Sequence, residues 1–146
     1  MIALACDHGG YELKCLIKEH LLKKGFNIKD FGCDSEESVD YPDFAYAAAK
    51  AVVSGECEKG ILICGTGIGM SIAANKVKGI RCALCSDTYS AHATREHNDS
   101  NMLALGARVT GCELAKDIVD AWLSASFIGA QHVRRLEKIR KIESEQ

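Results

Sequence analysis

Short apolar runs alternate with longer amphipathic stretches along the chain. The runs predict five strands. Their ranges are residues 2–6, 26–31, 61–64, 81–85 and 102–105. Apolar residues spaced near 3.6 positions predict helices between and after these strands. The helices fall at about 13–22, 42–53, 70–76, within 86–101, at 114–123 and at 133–142. The pattern is therefore a regular alternation of strand and helix.

The predicted strands are apolar on both faces, which requires a parallel sheet covered by helices on each side. Right-handed crossovers then favour an α/β fold: a doubly wound, Rossmann-like three-layer α/β/α sandwich with about five parallel strands. Such sheets bind ligands outside the carboxyl ends of their strands. We expect four segments to meet at that edge, namely residues 7–8, 65–66, 86–87 and 106–108.

Length and charge narrow the class of protein. The 146 residues predict a single domain, 1–146. A net charge of −2 gives no overall field that would attract nucleic acid or an anionic membrane. No apolar stretch approaches the ~20 residues of a membrane span, and the first residues lack the features of a signal peptide. We therefore predict a cytoplasmic protein with no nucleic-acid or membrane partner, in which an anionic ligand needs a local cationic pocket.

The eight cysteines do not suggest a disulfide scaffold. Cys6, Cys64, Cys82 and Cys85 lie within apolar runs, where a free thiol behaves as a small hydrophobic residue. The spacing of Cys82 and Cys85 is not matched by a second pair, so a metal site is disfavoured. We predict reduced thiols and no bound metal.

A glycine-rich loop, residues 65–69, directly follows the most strand-like run. Glycines at a strand-to-helix turn allow backbone N–H groups to approach an anion. The loop lacks the GK[ST] ending of a P-loop, and Met70 stands where a GxGxxG motif has its third glycine, so nucleotide binding is disfavoured. An oxyanion or phosphate remains open, as does a tight turn that needs glycine only for packing.

Cys64 lies just before this loop, where a helix dipole would stabilise a thiolate able to act as nucleophile or base. An inert strand cysteine is the alternative. The pairs Asp7–His8 and His97–Asn98 could bind polar substrate groups, or could simply be a loop cap and an exposed helix end. Arg134 and Arg135 could hold a phosphate through their forked guanidinium groups, although such charges more often lie on a solvated helix face.

Together, six segments resemble the type B ribose-5-phosphate isomerases, a superfamily that also includes galactose-6-phosphate and allose-6-phosphate isomerases. The matching segments cover nearly the whole chain in order. They are residues 6–10, 40–43, 60–69, 71–76, 95–99 and 105–109.

The resemblance implies interconversion of aldose and ketose phosphates, ribose 5-phosphate and ribulose 5-phosphate first, through an enediolate and without a metal or organic cofactor. It implies that Cys64 is the base, that Thr66 and the loop N–H groups stabilise the oxyanion, and that His97 helps to open the sugar ring. The implied substrate-binding residues are Asp7, His8, Tyr41, Gly65, Gly67, Gly69, Asn98, Arg108, His132 and Arg135.

The resemblance also implies a homodimer, or a dimer of dimers, in which each site is completed across the interface. The C-terminal helix from about residue 129 is expected to contact the partner subunit. One position departs from the family pattern: Gln131 stands where many members have an arginine, four residues before Arg135.

Three alternatives remain open. The substrate could be a hexose 6-phosphate, the chain could be a flavodoxin-like nucleotide-binding module, or it could be an inactive partner in a hetero-oligomer.

Overall fold

The computed structural model describes all 146 residues and contains one five-stranded parallel sheet. The strands lie in the order β2-β1-β3-β5-β4. Their bounds are β1 Ile2–Cys6, β2 Ile28–Asp30, β3 Lys59–Cys64, β4 Cys82–Leu84 and β5 Met102–Gly106. The parallel, doubly wound sheet predicted from the sequence is confirmed.

Six α-helices connect and follow the strands. They are α1 Tyr11–Lys23, α2 Tyr41–Val53, α3 Ile68–Asn75, α4 Thr88–Asn98, α5 Cys112–Ser124 and α6 Gln131–Ser144. A single 3₁₀ turn, His8–Gly10, separates β1 from α1. None of these helices has the length and apolar character needed to cross a membrane.

Local sequence explains several element ends. Pro42 lies in the first turn of α2, where its missing N–H costs nothing. Asp87 precedes α4 and its carboxylate accepts a 2.6 Å hydrogen bond from the backbone N–H of Ser90. The edge strand β2 covers three residues of the predicted 26–31 and pairs with β1 alone. Phe31, just past its end, still donates a 2.8 Å hydrogen bond to the Leu4 carbonyl of β1. Helix α3 starts two residues before the predicted position, at Ile68.

The two faces of the sheet carry different cores. Helices α1, α4 and α5 cover one face with large side chains, including Ile17, Leu21 and the fully buried Trp122. Helices α2 and α3 cover the other face mainly with alanines and Met70, so they approach the sheet closely. Both predicted helical layers are therefore present.

Helix α6 stands apart from this sandwich. Only His132 and Leu136 are buried along its 14 residues. Val133, Ile139 and Ile142, which continue the apolar pattern, are 43%, 46% and 62% exposed. The helix thus has an apolar stripe that the chain's own core does not cover.

Candidate active site

The carboxyl ends of β1, β3 and β5 form the first part of the site. Cys64, the last residue of β3, is paired in register with Gly106 of β5. Asp7 follows β1, and its backbone N–H donates a 3.2 Å hydrogen bond to the Ile63 carbonyl. The ladder therefore fixes Asp7, Cys64 and the start of the 106–110 loop on one edge of the sheet.

The glycine loop wraps around the Cys64 thiol. The backbone N–H of Gly67 points at Cys64 Sγ, with the two heavy atoms 3.1 Å apart. Gly67 has a φ of +79°, and a Cβ there would lie 2.9 Å from the Leu105 carbonyl carbon, so both conformation and space require glycine. This geometry turns a backbone dipole, positive end first, toward the sulfur.

Two larger side chains border the loop. A Cβ on Gly65 would lie 2.8 Å from Arg108 Nη1, which places the exposed guanidinium directly against the loop. A Cβ on Gly69 would lie 2.7 Å from the ring of Tyr41. A cation and an aromatic ring thus flank the glycine loop.

The polar residues of this edge are held by backbone contacts. Asp7 is buried, and its Oδ1 accepts a 3.1 Å hydrogen bond from the N–H of Gly10. The N–H of Val39 donates to His8 Nδ1 at 3.2 Å, which leaves Nε2 as the ring atom that can donate. Thr66 is exposed, and its Oγ1 accepts from the N–H of Ile68 at 3.2 Å.

Two neighbouring thiols are unsuited to proton transfer. Burial, as the largest cause, raises the pKa of Cys6 to about 12. Burial likewise raises the pKa of Cys85, beside Thr66 in a small cavity, to about 11. Both thiols stay protonated at neutral pH. Of these three cysteines, only Cys64 is contacted by the loop amide.

His97 and Asn98 lie at the opposite edge of the sheet. Helix α4 begins beyond the carboxyl end of β4 and runs back, so its last residues lie near the amino end of β5. Cys64 and the amino end of β3 at Gly60, paired with Met102, are four residues apart, or roughly 13 Å. His97 therefore does not share a pocket with Cys64 of the same chain.

A second polar cluster forms around His97. Its ring stacks on that of His132, with centroids 4.5 Å apart and planes inclined by 17°. Burial lowers the pKa of His132, and the neighbouring charges of His97 and Arg135 lower it further. Arg135 is exposed one turn further along α6.

The predicted site residues thus fall into two groups. The Cys64 half-site contains Asp7, His8, Tyr41, Cys64, Gly65, Thr66, Gly67, Gly69 and Arg108. The His97 half-site contains His97, Asn98, His132 and Arg135.

Sequence analysis gave no role to Arg81, which holds the end of α4. The sequence predicted it only as the first residue of the strand 81–85, whereas β4 begins at Cys82.

A thiol contacted by a glycine loop, with a guanidinium and a buried carboxylate nearby, fits an α/β enzyme suited to proton transfer on a small anionic substrate. The sequence matches the family described as Ribose/Galactose Isomerase over residues 2–139. The chain belongs to this family, and the predicted resemblance is confirmed.

Individual relatives agree along the whole chain. "Ribose-5-phosphate isomerase B" of Escherichia coli (strain K12) is 54% identical over 97% of this chain and 95% of its own length. "D-erythrulose-4-phosphate isomerase" of Pectobacterium atrosepticum is 47% identical over 99% and 96%. The structure of Clostridium thermocellum ribose-5-phosphate isomerase B has a TM-score of 0.98 at 57% identity, covering 99% of this chain and 97% of that one.

Proposed function

We propose that the protein interconverts ribose 5-phosphate and ribulose 5-phosphate, with Cys64 as the base. The observation that carries this proposal is the Gly67 N–H directed at Cys64 Sγ within the glycine loop. Abstraction of a proton next to a carbonyl needs a base and preorganised donors for the oxygen that becomes negative. The loop supplies both within four residues.

The reaction proceeds on the open-chain sugar. The Cys64 thiolate takes the proton from C2, and the C–H electrons form the C1–C2 double bond while negative charge develops on O1. Backbone N–H groups of residues 65–69, together with Thr66, stabilise this enediolate. The Cys64 thiol then returns the proton to C1, the proton of the O2 hydroxyl passes to O1, and the ketose results.

The remaining residues bind and prepare the sugar. Asp7 and Asn98 hold hydroxyl groups, Tyr41 lines the pocket, and His97 transfers the proton that opens the furanose ring. Arg108, Arg135, His8 and His132 face the phosphate. Arg108 already lies against Gly65, which supports a cationic contribution from the Cys64 half-site.

We also propose that the working unit is a homodimer whose sites combine both half-sites. Ring opening and enolisation act on neighbouring atoms of one sugar, so their catalytic groups must lie within hydrogen-bond reach of that sugar. Cys64 and His97 of one chain lie at opposite sheet edges. Exposed apolar residues lie in and beside the glycine loop: Ile68, Leu84 and Val109 share a small cavity with Thr66, and Ile72 follows one turn later on α3. With the uncovered stripe of α6, they supply surface for such an interface.

A complementation experiment with two mutant chains tests whether the two half-sites meet between subunits. Two differently tagged chains are co-expressed, one carrying Cys64→Ala and the other His97→Asn, and the mixed dimer is purified through both tags. One of its two sites is intact if the half-sites meet between chains, so about half of wild-type activity is expected. The matched control places both substitutions in one chain beside a wild-type partner, which leaves no intact site. Activity in the control but not in the mixed dimer would refute the composite site.

Substrate choice is tested with a panel of sugar phosphates. Turnover of ribose 5-phosphate should exceed that of allose 6-phosphate and galactose 6-phosphate, whereas the reverse order would assign the protein to hexose phosphates. D-Erythrulose 4-phosphate belongs in the panel because of the relative that bears its name. The cytosol stays the predicted location, supported by cysteines such as Cys6 and Cys57 that serve as buried core residues.

A further inference from the structure

The segment that ends α4 makes a sharp, unusual turn, which we call the α4 hook, residues 97–101. Asp99 adopts a left-handed backbone with φ 47° and ψ 45°, although it is not glycine. Such a residue is strained unless its surroundings hold it. The hook contains His97 and Asn98, so whatever fixes the hook also fixes the two residues proposed to reach the partner's substrate.

Arg81, from the edge of the sheet just before β4, grips this hook. Its Nε donates to the Asn98 carbonyl at 2.9 Å, and its Nη2 donates to the Asp99 carbonyl, also at 2.9 Å. The same Nη2 lies 3.4 Å from Asp99 Oδ2. The last carbonyls of a helix have no partner within the helix, and a cation at that end also complements the helix dipole. Arg81 therefore acts as a C-terminal cap supplied by another element.

A second arginine, Arg95, binds the hook from inside the fold, and we call Arg81 and Arg95 together the clamp. Arg95 Nη1 donates to Asp99 Oδ1 at 3.0 Å and to the Ser100 carbonyl at 2.6 Å. The Asp99 carboxylate is thus shared between two guanidinium groups. The side chain of Asn101 ties the other end of the hook to the sheet by accepting from the Arg81 N–H at 2.8 Å.

We propose that Arg81 is a positioning residue of the isomerase: it fixes the α4 hook so that His97 and Asn98 reach the sugar bound at the partner's Cys64. Arg81 touches neither the substrate nor the reacting atoms. Its effect passes through the backbone carbonyls of Asn98 and Asp99. This inference rests on the proposed role of His97 in ring opening.

The test is a double-mutant cycle on the full-length protein. Arg81→Met removes the donors but keeps the aliphatic stem, and His97→Asn removes the imidazole. A small displacement of a catalytic group can cost up to about 10²-fold in rate. Arg81→Met should therefore lower kcat for ribose 5-phosphate by roughly tenfold or more, with a smaller change in KM. In a His97→Asn background the same change should cost several-fold less, because its effect through His97 is already lost and only that through Asn98 remains. Full additivity of the two losses would overturn the proposal.

Two further variants separate positioning from general destabilisation. Arg81→Lys keeps the charge but not the fork, and should restore only part of the lost kcat. Arg140→Met removes an exposed charge near Arg81 that makes no side-chain hydrogen bond, and should leave kcat unchanged. Equal losses in Arg81→Met and Arg140→Met would attribute the effect to charge alone and refute the clamp.

A spectroscopic measurement is independent of turnover. The imidazole NMR signals of His97 and His132 report their stacked geometry, and those of His20 serve as an internal reference on α1. Arg81→Met should shift or broaden the signals of His97 while those of His20 stay in place; unchanged His97 signals would overturn the proposal. If His97→Asn alone leaves ribose 5-phosphate turnover intact, the ring-opening role fails, and the His97 signals still decide whether Arg81 holds the hook.

Discussion

The two half-sites are built on different physical principles. The Cys64 half-site is mostly backbone: register between β3 and β5 places Cys64, and the positive φ of Gly67 turns an N–H toward its sulfur. The His97 half-site consists of side chains at helix ends, with His97 stacked on His132 of a helix that buries only two residues. The first is fixed by the sheet, whereas the second depends on side-chain contacts and, in the proposed dimer, on a partner subunit.

This contrast fits a division of labour in the proposed mechanism. Stabilising an enediolate needs donors that are already in place when charge develops. Ring opening and phosphate binding tolerate more adjustment, since the sugar must enter and leave. The predictions below test the division, from the largest expected effect to the smallest.

Replacing the base should have the largest effect. Cys64→Ala should lower kcat by roughly 10²-fold or more, as expected when a positioned base is lost. Substrate affinity, measured by calorimetry, should change little, because the loop N–H groups and Arg108 remain. Cys6→Ala is the matched control, since that buried strand thiol has a pKa raised to about 12 and takes no part. Near-normal turnover in folded Cys64→Ala protein would refute the mechanism.

Removing His97 should have a smaller and substrate-dependent effect. D-Erythrulose 4-phosphate carries its phosphate on C4, so no hydroxyl can close a furanose ring and the sugar stays open-chain. His97→Asn should therefore reduce turnover of ribose 5-phosphate about tenfold more than turnover of D-erythrulose 4-phosphate, measured as kcat/KM. His92→Asn, an exposed histidine one turn earlier on α4, is the control. Equal losses on both sugars would assign His97 to enolisation or architecture.

Sequence patterns predicted the strands and the loops at their carboxyl ends well. The apolar run before Gly65 predicts a buried strand. A glycine loop that follows a parallel strand must lie at the carboxyl edge of the sheet. The length of the edge strand β2 was overestimated at its amino end, because Phe26 has strand-like character but its N–H donates to the Leu21 carbonyl at the end of α1. Phe31 lies just past β2, and its N–H still donates to the Leu4 carbonyl of β1 at 2.8 Å.

The positions of the site residues that lie on helices were harder to predict from the sequence. His97 lies at the amino edge because α4 is antiparallel to the strands, a consequence of topology that chain direction alone could have predicted. The clamp by Arg81 and Arg95 could not be predicted, since it joins residues 14 positions apart around a left-handed Asp99. The stack of His97 on His132 likewise depends on how α6 docks against α4.

The smallest effect concerns Gln131, the first residue of α6. Gln131 and Arg135 are four residues apart on one helical face, and both are exposed. A glutamine can donate a hydrogen bond to a phosphate but brings no charge, and a charge-assisted bond is roughly twice as strong as a neutral one. An arginine at this place should therefore add about 1–2 kcal/mol of phosphate binding, or some tenfold in affinity. Arg134 cannot substitute for it, because it lies about 100° further around the helix than Arg135.

The test is Gln131→Arg with ribose 5-phosphate as substrate. KM should fall up to about tenfold with little change in kcat, because the added contact binds substrate and transition state alike. Gln146→Arg makes the same chemical change near the far end of α6 and should leave KM unaltered. The gain in Gln131→Arg should weaken as salt is raised, as expected for a contact made by exposed charges. A KM that is unchanged or raised would mean that Gln131 does not face the phosphate, and that the His97 half-site holds a sugar whose phosphate lies elsewhere.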